Sequence, residues 1–171
     1  MHFLLNDYKI YKGIDSTNTE DDEKISFILQ SVEDYIKHQF GIYCQETTVT
    51  EKRQAQGDIL VVQSYVNSVI GIINKGKSYD VTNVEYIENI LYLPYTLTKL
   101  VTVSYKTGFT DLPDSIKTAI FIFVDKIYED VQNNGVLVNS YADPVGGRET
   151  FKKSFPKEVY KLLHPYITYK L

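Results

Sequence analysis

The sequence predicts an α+β fold, a small helical bundle with an antiparallel β sandwich or barrel inserted into it. Three observations predict it. Apolar residues recur at three- and four-residue spacing through residues 21–40 and again through 113–131, the period of a helix buried along one face. Between these stretches, from Tyr43 to Tyr105, the period falls to two and the apolar runs become short. The order helix, strands, helix makes the β part an insertion.

The first element, Phe3–Ile14, reads as a short helix stopped by Gly13, with Asn6 as its N-cap and Leu5, Tyr8 and Tyr11 on one face. A polar turn, Asp15–Thr19, follows. Asp21, Asp22 and Glu23 then load the first turn of a second helix with negative charge, which suits the helix dipole. Its stripe is Ile25, Ile28, Leu29, Val32, Ile36 and Phe40, and Gly41 should end it.

Six short strands are expected next: Thr47–Arg53, Asp58–Gln63, Val69–Ile73, Val81–Ile87, Ile90–Leu93 and Leu100–Tyr105. Gln54–Gly57 reads as a hairpin turn between the first two, Asn74–Lys77 as another turn, and Glu88-Asn89 and Pro94–Thr98 as breaks. In the last strand Val101, Val103 and Tyr105 alternate with Thr102, Ser104 and Lys106. Gly108 breaks that strand, and Pro113 starts a long helix to Val131, at a position that tolerates its missing N–H. Ile116, Ile120, Phe123, Ile127 and Val131 form its apolar face, widened by Ala119 and Val124. Residues 132–154 are irregular, and a loop of that length is usually functional or disordered. A last short helix, Pro156–His164, presents Val159, Leu162 and Leu163. The expected organisation is therefore a helical part at 1–42, a β-rich insertion at 43–106, a returning helix at 107–132, and a loop and arm with a short helix at 133–171.

Composition bounds the function. With 43% hydrophobic and 23% charged residues the 171-residue chain is an ordinary globular domain. Fifteen Tyr beside no Trp suits half-exposed faces and subunit contacts, or reflects β-propensity alone. One cysteine, Cys44, makes neither an intramolecular disulfide nor a metal cluster and fits a reducing compartment. The start, His2–Asp7, is too short and too soon acidic for a signal peptide. The longest apolar run, Ala119–Val124, falls far below the roughly 18 residues of a membrane span, so a soluble product made in a bacterial cytoplasm is expected.

Charge is unevenly laid out. Residues 1–42 carry net −4 and residues 148–171 net +4, against −4 for the whole chain. The two ends pair within a subunit, pair between neighbours, or are simply two solvated faces. No catalytic arrangement emerges, because His2, His38 and His164 lie in unrelated contexts, none beside Cys44 or a nucleophile elbow. Asp21–Glu23 lacks the spacing and central Gly of a calcium loop, and Gly146-Gly147-Arg148 lacks the context of a phosphate loop. Neither enzymatic activity nor any cofactor or metal is expected, and an acidic chain with pI near 5.4 offers no face for sequence-specific DNA binding.

The order of pieces is informative. Leu5–Gly13, Glu20–Glu23, Phe40-Gly41, Val103-Ser104-Tyr105-Lys106-Thr107-Gly108-Phe109, Pro113-Asp114-Ser115-Ile116-Lys117-Thr118-Ala119 and Leu162-Leu163-His164-Pro165-Tyr166 succeed one another. Together they resemble the head–tail connector (adaptor) and head-completion proteins of tailed bacteriophages, in the form that carries an inserted β-domain. The resemblance covers nearly the whole chain. It implies a structural virion protein of the neck, forming a ring, typically dodecameric in that family, under the portal protein. Its partners would be identical neighbouring subunits and the tail or a stopper protein, with viral DNA passing non-specifically and no membrane involved. It further implies that Asn139–Leu171 docks on the portal or a neighbour, through Phe151, Phe155, Val159, Leu162, Leu163, Tyr166 and Tyr169 as apolar anchors and Arg148, Lys152 and Lys153 as basic contacts. A stopper protein, or a Tyr-rich β-module that binds a ligand, are the alternatives.

Overall fold

A computed structural model describes residues 2–134 and 155–167. They form four helices, α1 (Leu5–Lys12), α2 (Asp22–Phe40), α3 (Asp114–Asn134) and α4 (Lys157–Leu163), with a 3₁₀ turn at His164–Tyr166. Seven strands lie between α2 and α3: β1 (Thr47–Gln54), β2 (Gly57–Val61), β3 (Ser68–Asn74), β4 (Lys77–Tyr79), β5 (Glu85–Ile87), β6 (Ile90–Leu97) and β7 (Leu100–Thr107). The chain divides into two compact units, one of residues 1–35 and 113–165, the other of residues 36–112 and 166–171.

In the helical unit the expected stripes are the buried ones. Ile25, Ile28, Leu29 and Val32 of α2 are buried, as are Ile116, Ala119, Ile120, Phe123, Val124 and Ile127 of α3. The side chain of Val131, last of the expected stripe, lies outside the described part. The N-cap of α1 lies two residues before the expected Asn6: Leu4 occupies it without a side-chain bond, and Asn6 lies inside the helix. Gly13 closes α1 in the left-handed conformation, φ 66°, its N–H returning to Ile10 O.

A buried lysine fixes the α1–α2 connection. Lys9 is 3% exposed, and its ammonium donates to Ser16 O (3.2 Å), Asn18 O (2.5 Å) and Asp22 Oδ1 (2.8 Å). All three donors are used, which is the condition for burying a charge at tolerable cost. Before α1, Leu4 N–H donates to His2 Nδ1, so the ring's proton sits on Nε2 and is given to Glu33 at 2.8 Å.

The β unit holds two antiparallel sheets, ordered β1-β7-β3-β4 and β2-β6-β5. Leu60, Leu91, Leu93 and Leu97 from the second sheet share one core with Ile72, Val101, Val103 and Tyr105 from the first, so the sheets enclose it between them. Three sequence expectations change. Gln54–Gly57 is no hairpin, because β1 and β2 belong to different sheets and the chain turns a corner there. A corner and a hairpin use the same turn residues, so local sequence does not separate them. Pro94 does not end a strand: β6 runs through it to Leu97, at a bulge where the register jumps from Ile59–Tyr92 to Gly57–Leu97, so the donor that proline lacks is not required by a regular ladder there. The expected strand Val81–Ile87 shrinks to Glu85–Ile87, because Asp80 Oδ1 accepts from Thr82 N and Oγ1 and Val84 N–H turns back to Val81 O.

Gly108 explains the glycine after β7. Its φ is +89°, and a Cβ there would sit 2.1 Å from the Gln45 carbonyl oxygen. The close approach is pinned by Glu46 N–H to Phe109 O (3.0 Å) and by Asn67 Nδ2 to Gly108 O (2.7 Å).

Candidate assembly surfaces

The C-terminal segment enters the described structure at Phe155. Its ring stands 5.1 Å from Phe123, edge to face, and 5.7 Å from Tyr35, while Tyr35 and Phe123 are themselves 5.5 Å apart. Three rings at these spacings gain stacking energy beyond the area they bury. α4 follows and packs on α3. Its apolar residues recur at four-residue spacing, and Val159 and Leu163 are fully buried. These two, expected as anchors for a partner, are therefore committed inside the helical unit of their own chain, because they complete the apolar face of α3. Leu162 is half-buried, and the outward positions of α4 carry Lys157, Glu158, Tyr160 and Lys161. Tyr166 meets Phe109 edge to face at 5.8 Å within the β unit. Arg148, Phe151, Lys152, Lys153 and Tyr169 lie outside the described residues, as do residues 135–154 of the expected loop.

Electrostatics in the helical unit centre on Asp125. It accepts from Tyr8 OH at 2.6 Å and from Lys12 at 3.1 Å. Burial, then the Asp125 carboxylate, holds the Tyr8 phenol well above its ordinary range. In the β unit the inward-facing Glu51 is satisfied by Tyr105 OH (2.9 Å), Gln63 N–H (2.8 Å) and Arg53 Nε (2.7 Å). Burial and the same carboxylate raise the Tyr105 phenol. Both carboxylates have their partners, and among the described residues no group of three His, Cys, Asp or Glu is placed to hold a metal.

The sheets carry surfaces that single-strand reading passed over. Across the three-stranded sheet the outward rows are Ile59, Tyr92 and Glu85, then Val61, Ile90 and Ile87. Five of these six are apolar, with Ile87 64% and Tyr92 40% exposed. The signal in the sequence was the lack of polar alternation in Ile59–Val61 and Ile90–Leu93, which only the register turns into a face. The outward rows of the four-stranded sheet are instead rich in Thr, Ser and Lys, with Thr50 Oγ1 and Ser104 Oγ hydrogen-bonded at 2.8 Å, and Ile70, Ile73 and Leu100 stand exposed among them.

Known proteins share this architecture. A chain in the neck of an empty gene transfer agent (GTA) particle, computed with C6 symmetry, superposes with a TM-score of 0.67 at 12% identity, over 98% of this chain and 90% of that one. A chain in the neck of the native GTA particle, computed with C12 symmetry, gives 0.62 at 14% identity, and one in the native GTA virion gives 0.63 at 14%, both over the same shares. None of the curated proteins is similar in sequence. The profile of the Head completion protein family matches residues 3–168. With helices, inserted sheets and connecting turns all inside that match, the chain belongs to the head completion protein family, the structural proteins of the head–tail connection.

Proposed function

We propose that the protein acts as the adaptor of a phage-like neck: copies form a ring, in the dodecameric form, under the portal protein, extend the DNA channel and give the tail or a stopper its docking surface. The observation that carries this reading is the match along the entire chain, to a head-completion family over 3–168 and to neck chains over 98% of the length. The necks that hold those similar chains were computed with C6 and C12 symmetry, which supports a ring here. The portal contact is made by the basic stretch with Arg148, Lys152 and Lys153, Phe151 and Tyr169, continued by the outward side of α4. Val159 and Leu163 serve it by holding α4 in place. DNA passes without sequence-specific contact, as the net charge of −4 favours a wall that does not retain it.

Sedimentation with portal rings of the same phage tests the reading. The wild-type chain should co-sediment, and R148E/K152E/K153E should lose at least tenfold in affinity with its fold intact. A stopper would instead bind only to portal rings already capped by another protein.

A further inference from the structure

We infer that the two outer faces of the β unit are the two halves of one contact between neighbouring copies: the three-stranded sheet of one subunit seats its outer face on the outer face of the next subunit's four-stranded sheet. The inference rests on the ring reading above and names the surface that builds the ring.

The first face is apolar where a solvated antiparallel sheet should be polar, with Ile59, Val61, Ile87, Ile90 and Tyr92 in two adjacent rows. Its charges are all acidic. Asp58, Glu85 and Glu88 stand in or beside its strands, and neither 57–61 nor 85–97 contains a base. The second face has its own exposed apolar residues, Ile70, Ile73 and Leu100. Its charges are mainly basic, with Lys52, Lys77 and Lys106 on the strands and Lys75 and Lys99 at the turns, against Glu46, which Lys106 meets at 3.0 Å, and Asp80 beside the strands. An apolar centre with an acidic border thus has its complement on the other side of the same domain, which is the arrangement that sets register between partners.

Direction argues for a second copy of this chain as the occupant. The sheets enclose a common core, so their outer faces point away from each other. Contact between unlike, opposed faces is heterologous and propagates head to tail, and opposed faces need only a small rotation per step. A C12 ring turns each copy by about 30° from the last. A portal or tail protein would satisfy one face and leave the other uncovered.

Y92C and I73C chains, each otherwise full length, are assembled each alone and together from a mixture of unassembled chains, on portal rings where these are needed, then treated with a short bismaleimide. Covalent dimers should form in the mixture and in neither preparation alone; Cys44 is buried, and wild-type chain gives the blank. In parallel, E85K/E88K should lower ring yield at least tenfold, and adding K75E/K77E to the same chain should restore it, with circular dichroism confirming folded protein. Dimers from Y92C alone would reveal a twofold contact and overturn the inference. Normal rings without mixed cross-links and without a charge effect would overturn it while leaving the ring reading intact. No ring from wild-type chain, free or on portal, would overturn both.

Discussion

Single residues carry the two tightest constraints in the fold. At Gly108 both the positive φ and the Gln45 carbonyl exclude a side chain. Gly108→Ala should therefore cost at least about 3 kcal/mol, read as a lowered urea midpoint, since relief would break the Glu46–Phe109 bond. Lys9 is the second. Lys9→Met strands two carbonyls and a carboxylate, but Asp22 keeps the help of the α2 N-terminus, so the expected loss is about 2–3 kcal/mol rather than the ~3–5 of an uncompensated pair. Adding Asp22→Leu should recover part of it. Phenols give the pH arm. Tyr8 and Tyr105 are both raised, so their neutral forms stabilise the fold fully below pH 10 and that contribution is lost as pH rises through their folded values. Absorbance titration of the native protein should show these two phenols ionising only as the protein unfolds. The sequence offered the glycine as a strand breaker, which was right for a weaker reason. It gave no hint that Lys9 or Glu51 points inward, because a charged residue is read as outward until its partners are known.

Elements show where sequence reading works and where it stops. The helices were legible because a 3.6-residue stripe is a local pattern, and the described stripe residues of α2 and α3 are buried, apart from Phe40, which is half-buried. Strand positions were mostly legible for the same reason. Pairing was not. Which strand meets which is decided across dozens of residues, so the β1–β2 corner read as a hairpin, β4 went unseen after the turn expected at Asn74–Lys77, and Pro94 read as a stop. The same gap hid the apolar outer face of β2-β6-β5, which exists only once Ile59, Tyr92 and Glu85 are in register. α4 was legible as a helix, whereas its burial on α3 was not. Leu163→Ala should cost about 3 kcal/mol. Hydrogen exchange should locate the loss, with α4 amides exchanging faster and β-unit amides unchanged.

At the scale of the whole molecule, the evidence is the order of pieces rather than any one of them. Each motif is ordinary helix or strand chemistry, yet the family profile spans 3–168 and the fold is shared with neck chains at 12–14% identity. A protein whose work is to join two larger bodies needs opposed surfaces and a segment that docks. This chain has two unlike sheet faces and a C-terminal segment that joins a basic stretch to an anchored helix. Electron cryo-microscopy of the full-length protein mixed with portal rings of its phage tests this most directly. The account predicts a closed ring of copies, coaxial with the portal, with the channel continuing through it and the C-terminal segment at the joint. Portal rings that remain bare beside monomeric protein would contradict it.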